Sequence, residues 1–120
     1  LEQKQDEFNY PESKKTFVLA VNYGGQDEIL RAMKKLVANG DTISKENLEK
    51  YSDFWGLPPV ELVIRTKQQL AKRLSGFMLR WIGYAQLYFT DLYCPDFTVK
   101  ELQKALDWYE QSLESQNFGK

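Results

Sequence analysis

Two short uninterrupted apolar runs and two periodic stretches organise the chain before any chemistry is considered. Phe17-Val18-Leu19-Ala20-Val21 and Leu62-Val63-Ile64 have the pattern of strands buried on both faces. Between them Ile29, Leu30, Met33, Leu36 and Val37 fall on one face of a helix, which Asp27 and Glu28 open and Asn39-Gly40 closes. The paired glycines of Asn22-Tyr23-Gly24-Gly25 permit a tight turn from the first strand into that helix. Ser44 is placed to cap a short helix through about Tyr51, and Leu57-Pro58-Pro59 leads extended into the second strand. Consecutive buried strands joined by helices predict an α/β chain, a parallel-sheet βαβ portion with a right-handed crossover. A parallel pair with bare edges is marginal, so further strands from outside this chain are expected, and the fold is incomplete without them.

Beyond the second strand, residues 77–88 are apolar nearly all the way round, which predicts a helix buried on most sides or seated in a subunit interface. Residues 91–97 read as a loop around Pro95. Thr98 and Glu101 then form a capping box for a last helix whose apolar stripe is Val99, Leu102, Leu106, Tyr109 and Leu113. Residues 1–16 are charge-dense and interrupted by Pro11, a solvated N-terminal arm ahead of one domain over 17–120.

Composition narrows the chemistry. A net charge of −1 over 120 residues leaves no global basic field, so no nucleic-acid partner is expected and any anion site must be local. Histidine is absent, which removes Ser-His and Cys-His nucleophile pairs and the commonest general base. Cys94 is alone, so no internal disulfide forms, and it is expected to be a buried packing residue. No apolar run reaches the roughly 20 residues that span a bilayer, and a cytoplasmic location is expected. The start on Leu1 suggests a fragment or a processed chain.

Chemistry concentrates where the second strand ends, on Arg65-Thr66, and again at Arg73-Leu74-Ser75. Ligands of open α/β sheets bind at the carboxyl ends of the strands. Arg65, Arg73 and Ser75, with the free N–H groups of a helix expected to open near Ser75, make a cradle for a diphosphate.

In order, Asn22-Tyr23-Gly24-Gly25-Gln26, Ile64-Arg65-Thr66, Arg73-Leu74-Ser75-Gly76-Phe77, Tyr84-Ala85-Gln86-Leu87-Tyr88-Phe89-Thr90, Cys94-Pro95-Asp96-Phe97 and Asn117-Phe118-Gly119 complete the pattern. From Phe17 onward the chain resembles the C-terminal half of the cis-prenyltransferases, the undecaprenyl diphosphate synthase family. The resemblance implies an isoprenyl transferase that condenses isopentenyl diphosphate onto an allylic diphosphate to make polyprenyl diphosphate. It implies Mg²⁺ as cofactor, and a homodimer or a heteromer with a chain supplying the N-terminal half. Peripheral membrane contact through the lipid product is implied too. Residue by residue, Arg65, Arg73 and Ser75 would bind the isopentenyl diphosphate. Gln86 stands where the family carries an acidic metal ligand, and an amide keeps the shape without the charge. Residues 67–72 depart from the family's turn, and no D-G-N-G-R-W segment is present. The resemblance therefore places no catalytic residue in this chain and implies that the chain alone is inactive. The alternative it leaves open is a non-catalytic cis-prenyltransferase-like subunit with a binding or regulatory role.

Overall fold

The computed structural model describes residues 15–67 and 72–115. Helix α1 spans Gly25–Ala38, α2 Lys45–Lys50, strand β1 Leu62–Arg65, strand β2 Gln86–Phe89, and α3 Val99–Ser115, with a 3₁₀ turn at Cys94–Asp96 before α3. The strands run parallel in the register Leu62↔Gln86, Val63↔Leu87, Ile64↔Tyr88 and Arg65↔Phe89. The α/β class and the parallel sheet are as the sequence predicts.

Local chemistry accounts for the helices. Asp27 and Glu28 occupy the first turn of α1 and Lys35 its last, each sign placed against the opposite end of the helix dipole. Ser44 caps α2, its Oγ accepting from the Asn47 N–H at 3.0 Å. The side of α1 that turns inward is Gly25, Glu28, Ala32 and Leu36. Ala32 and Leu36 join Phe54, Val63, Ile82 and Ala105 in the core. The expected stripe lies largely outside it: Leu30, Met33 and Val37 are exposed. In α3 the buried residue is Ala105, whereas Val99, Leu102, Leu106 and Leu113 face solvent and Trp108 packs on Tyr88 with ring centroids 5.3 Å apart.

Three further expectations are corrected. Residues 77–88 are not a helix. Ser75, Gly76 and Met78 all adopt left-handed backbone angles (φ 51°, 74° and 46°), through which a right-handed helix cannot propagate. The run instead makes successive turns, closed by Trp81 N–H to the Met78 carbonyl at 2.8 Å and Ala85 N–H to the Ile82 carbonyl at 3.2 Å. Its last residues enter β2, where Leu87-Tyr88-Phe89 suits a pleated surface. The parallel partner of β1 is thus β2 and not residues 17–21, which join no ladder among the described residues, with Phe17 88% and Leu19 69% exposed. A strand is completed only by a neighbour's N–H and C=O groups, and none of the described residues supplies them. Cys94, finally, is exposed on the turn before α3. The expected arm lies outside the described residues except for 15 and 16, as do residues 68–71 and the terminal Asn117-Phe118-Gly119.

Candidate anion-binding site at the carboxyl ends of the strands

β1 delivers Arg65 to the edge where both strands end. Its carbonyl accepts the Thr90 N–H at 2.9 Å, extending the ladder one residue past β2. Its guanidinium, half-buried, donates from Nη1 to the Leu74 carbonyl at 3.3 Å. Leu74 lies between Arg73 and Ser75, so one hydrogen bond draws the three sequence-predicted residues into one region. The loops are tied again where the Lys67 N–H donates to the Leu92 carbonyl at 2.8 Å. Lys67 Nζ stands 5.1 Å from the centre of the Tyr93 ring, and Lys72 Nζ stands 6.0 Å from that of Phe89, the residue paired with Arg65. Arg65, Lys67, Lys72 and Arg73 thereby collect at the carboxyl ends of the strands, with Asp91 and Asp96 the acids of the adjoining loop. Arg73 and Ser75 are exposed. Ser75 does not open a helix. Its φ of 51° places it in a turn, and the expected contribution from a helix N-terminus is absent.

Gln86 is placed elsewhere. Paired residues of a parallel ladder share a face and alternate along the strand. Val63, Arg65, Leu87 and Phe89 therefore lie on one face, and Leu62, Ile64, Gln86 and Tyr88 on the other. Gln86 begins β2 and pairs with Leu62, three residues and ~10 Å of strand rise away from the Arg65–Phe89 pair. It occupies the opposite end and the opposite face, the one that α3 covers through Trp108 on Tyr88. No three His, Cys, Asp or Glu side chains among the described residues group as a metal site. A neutral amide on the far face does not fit the magnesium that the resemblance implies.

Sequence reasoning missed the carboxylate behind the site. Glu28, read as a helix-dipole residue, is 2% exposed and is the largest fully buried side chain among the described residues. It accepts from the Tyr23 hydroxyl, from Trp81 Nε1 at 3.0 Å and from the Asp53 N–H at 3.2 Å. Burial and then the Glu28 acceptor push the Tyr23 phenol well above its ordinary range. Around this acid Tyr23 meets Phe54 and Phe77 edge-on, at 5.4 and 5.6 Å, and Phe54 meets Trp81 at 5.9 Å. The signal was present in the sequence: position 28 lies four and eight residues before Ala32 and Leu36, the inward line of α1. The same cluster fixes the turn that carries Ser75. Gly25 N–H donates to the Gly76 carbonyl at 3.2 Å, and a Cβ on Gly25 would overlap that oxygen. Arg80 adds a polar strut, reaching the Lys45 carbonyl at 3.1 Å, and the Ser52 hydroxyl and Glu49 carboxylate at 3.4 Å each.

A parallel α/β chain with cations gathered at the strand ends is the class that fold and site define. Comparison with known proteins then places it. The prenyltransferase family model, undecaprenyl diphosphate synthase, matches residues 1–119. The isoprenyl transferase of Treponema denticola is 45% identical over 116 residues, covering 89% of this chain and 49% of that protein. That of Chlamydia pneumoniae is 42% identical over 106 residues, covering 82% and 42%. Among solved structures, a probable undecaprenyl diphosphate synthase from Campylobacter jejuni superposes with a TM-score of 0.65 at 34% identity, covering 77% of this chain and 42% of that one. Lavandulyl diphosphate synthase from Lavandula x intermedia, solved in complex with dimethylallyl diphosphate, gives 0.69 at 32% identity, covering 78% and 42%. The chain belongs to the undecaprenyl diphosphate synthase family of prenyltransferases. It spans about half the length of the curated relatives it matches.

Proposed function

We propose that this chain binds the diphosphate of isopentenyl diphosphate at the carboxyl ends of β1 and β2. It does so as the substrate-holding part of a cytoplasmic cis-prenyltransferase that condenses isopentenyl diphosphate onto an allylic diphosphate. The observation that carries the reading is Arg65, held at a strand end with its guanidinium bonded to the loop of Arg73 and Ser75. A guanidinium has five N–H donors, and one spent on Leu74 leaves four for phosphate oxygens. Arg73 and the Ser75 hydroxyl would add donors from the solvent side, with Lys67 and Lys72 supplying charge around them. The diphosphate-bound state of the lavandulyl diphosphate synthase supports the ligand class. These groups bind and orient; none is placed to break or form the carbon bonds, so condensation requires residues beyond this chain.

The direct test is calorimetric titration of inorganic pyrophosphate into the parent chain and Arg65→Ala. The substitution is expected to weaken binding by ~1.5–3 kcal/mol, the range for a hydrogen bond to a charged group. Equal affinities would remove the anion site from this strand end. With labelled isopentenyl diphosphate, farnesyl diphosphate and magnesium, the pure chain is expected to form no polyprenyl product, and product formation would overturn the division of labour. A second reading, a binding or regulatory subunit without a catalytic role, is favoured by the neutral Gln86 on the face away from Arg65. Product formation after co-expression with the rest of a family member would separate the two.

A further inference from the structure

The stretch in which this chain departs from the family's turn begins and ends on a lysine, and the fold brings both lysines to the strand ends. Lys67 lies two residues past β1 with its backbone in the left-handed region, φ 56°, and its N–H bonded to the Leu92 carbonyl at 2.8 Å. A residue with a Cβ stays in that region only where its surroundings hold it, so the direction taken by Lys67 is set by the loop. The bend carries its Nζ to 5.1 Å from the centre of the exposed Tyr93 ring. Lys72, at the other end of the stretch, sets its Nζ 6.0 Å from the centre of Phe89, the partner of Arg65 in the ladder. A ring face attracts an ammonium through its quadrupole, and the N–H donors on the outer side stay open to an oxygen acceptor. Lys104, by contrast, is bound to the Glu101 carboxylate at 2.7 Å. Among the described residues neither Lys67 nor Lys72 is ion-paired.

A diphosphate is a polyanion, met either by fixed cations or by a divalent ion that travels with it. The two solutions need different side chains. Magnesium asks for carboxylate oxygens. Gln86 is neutral and stands at the opposite end and face of the sheet from Arg65, and no three His, Cys, Asp or Glu side chains among the described residues gather as a metal site. Asp91 and Asp96, the acids of the adjoining loop, are both exposed and leave the four cations in excess. We infer that Lys67 and Lys72 supply the charge compensation here, so that this strand end takes the bare diphosphate in preference to its magnesium complex. The complex would carry further positive charge into a region that already holds an excess of it, whereas the bare anion meets complementary charge. The inference rests on the proposed reading of the strand ends as a diphosphate site, and it assigns that site's cation requirement.

The test is calorimetric titration of inorganic pyrophosphate, with magnesium or with a chelator in its place. It compares the 120-residue parent chain with Arg65→Ala, with Lys67→Met plus Lys72→Met, and with Lys67→Arg plus Lys72→Arg. Methionine keeps an unbranched stem without the charge, and arginine keeps the charge. For the parent, affinity without magnesium is expected to equal or exceed affinity with it. The double methionine chain should bind the bare anion about tenfold more weakly, the attraction of two exposed charges being moderated by water and salt. That chain should also bind more tightly once magnesium is added, which the parent should not. The double arginine chain should match the parent in both conditions. Both lysines are exposed, so urea midpoints should stay at the parent's value. A parent that binds about tenfold more tightly with magnesium overturns the inference. So does a double methionine chain whose affinity and magnesium response equal the parent's, and a loss confined to Arg65→Ala would then leave the proposed function standing. Pyrophosphate that fails to bind the parent in either condition defeats both.

Discussion

Gly25 opens α1 at a point where helix propensity and packing pull in opposite directions. Alanine is the better helix former by about 1 kcal/mol in a helix interior. Its Cβ would nevertheless overlap the Gly76 carbonyl oxygen and press on Leu79, where the nearest atoms lie at 3.2 Å. Displacing backbone costs ~1–3 kcal/mol, so packing wins, and Gly25→Ala is expected to lower the urea midpoint and to weaken pyrophosphate binding by moving Ser75. Glu28 is the second residue on which the cluster turns. Glu28→Ala strands the Tyr23 hydroxyl, Trp81 Nε1 and the Asp53 N–H, and at ~1–3 kcal/mol for each buried orphan the loss should reach about 3 kcal/mol. Glu28→Gln keeps an acceptor of the same shape and should lose clearly less. Tyr23 adds a pH dependence whose sign follows from its raised pKa, caused first by burial and then by Glu28. A pKa higher in the folded than in the unfolded state gives stability that is complete below the ordinary phenol value near pH ~10 and is lost as pH rises toward the folded value. Melting temperatures are expected to fall above pH ~10 in the parent and less steeply in Tyr23→Phe.

Elements carried by local signals were legible in the sequence, and those decided by long-range packing were not. α1, α2 and α3 announce themselves through acidic first turns, an N-cap serine and periodic apolar positions, and β1 through its continuous apolar run. α2 has six residues and buries none of them fully, so its cap matters. Ser44→Ala should cost about 1 kcal/mol in a thermal melt. The misread stretch is 77–88, because a segment apolar on all sides satisfies a buried helix and a strand buried on both faces equally well. The left-handed angles at Ser75 and Met78 that decide the matter belong to non-glycine residues and leave no compositional trace. The inward line of α1 was misassigned for a related reason. Hydrophobicity pointed to Leu30, Met33 and Val37, yet small Ala32 and hydrogen-bonded Glu28 permit the closer approach of the turns around Tyr23 and Trp81.

At the scale of the molecule, the place of Arg65 at a sheet edge was legible, because a strand ending on arginine identifies that edge whatever the rest of the fold. The loop that carries Arg73 and Ser75 was not, since Gly76 beside it is bonded to Gly25, and Trp81 just beyond it to Glu28, both from a distant part of the chain. Nor could composition separate Gln86 from the cation cluster; only the pairing of Leu62 with Gln86 and of Arg65 with Phe89 does so. That register divides the sheet into two chemically insulated sides. If the strand ends hold a diphosphate as proposed, substitutions on the side that α3 covers should leave its binding unchanged, and changes at the strand ends should leave the α3 contact unchanged. Energetic effects at sites that share no partner add, to within about 0.3–0.5 kcal/mol. In a double-substitution cycle on pyrophosphate affinity, Arg65→Ala and Gln86→Glu should therefore show no coupling. Each side of the sheet is then free to diverge at its own pace, and an amide at position 86 places no constraint on the arginine three registers away.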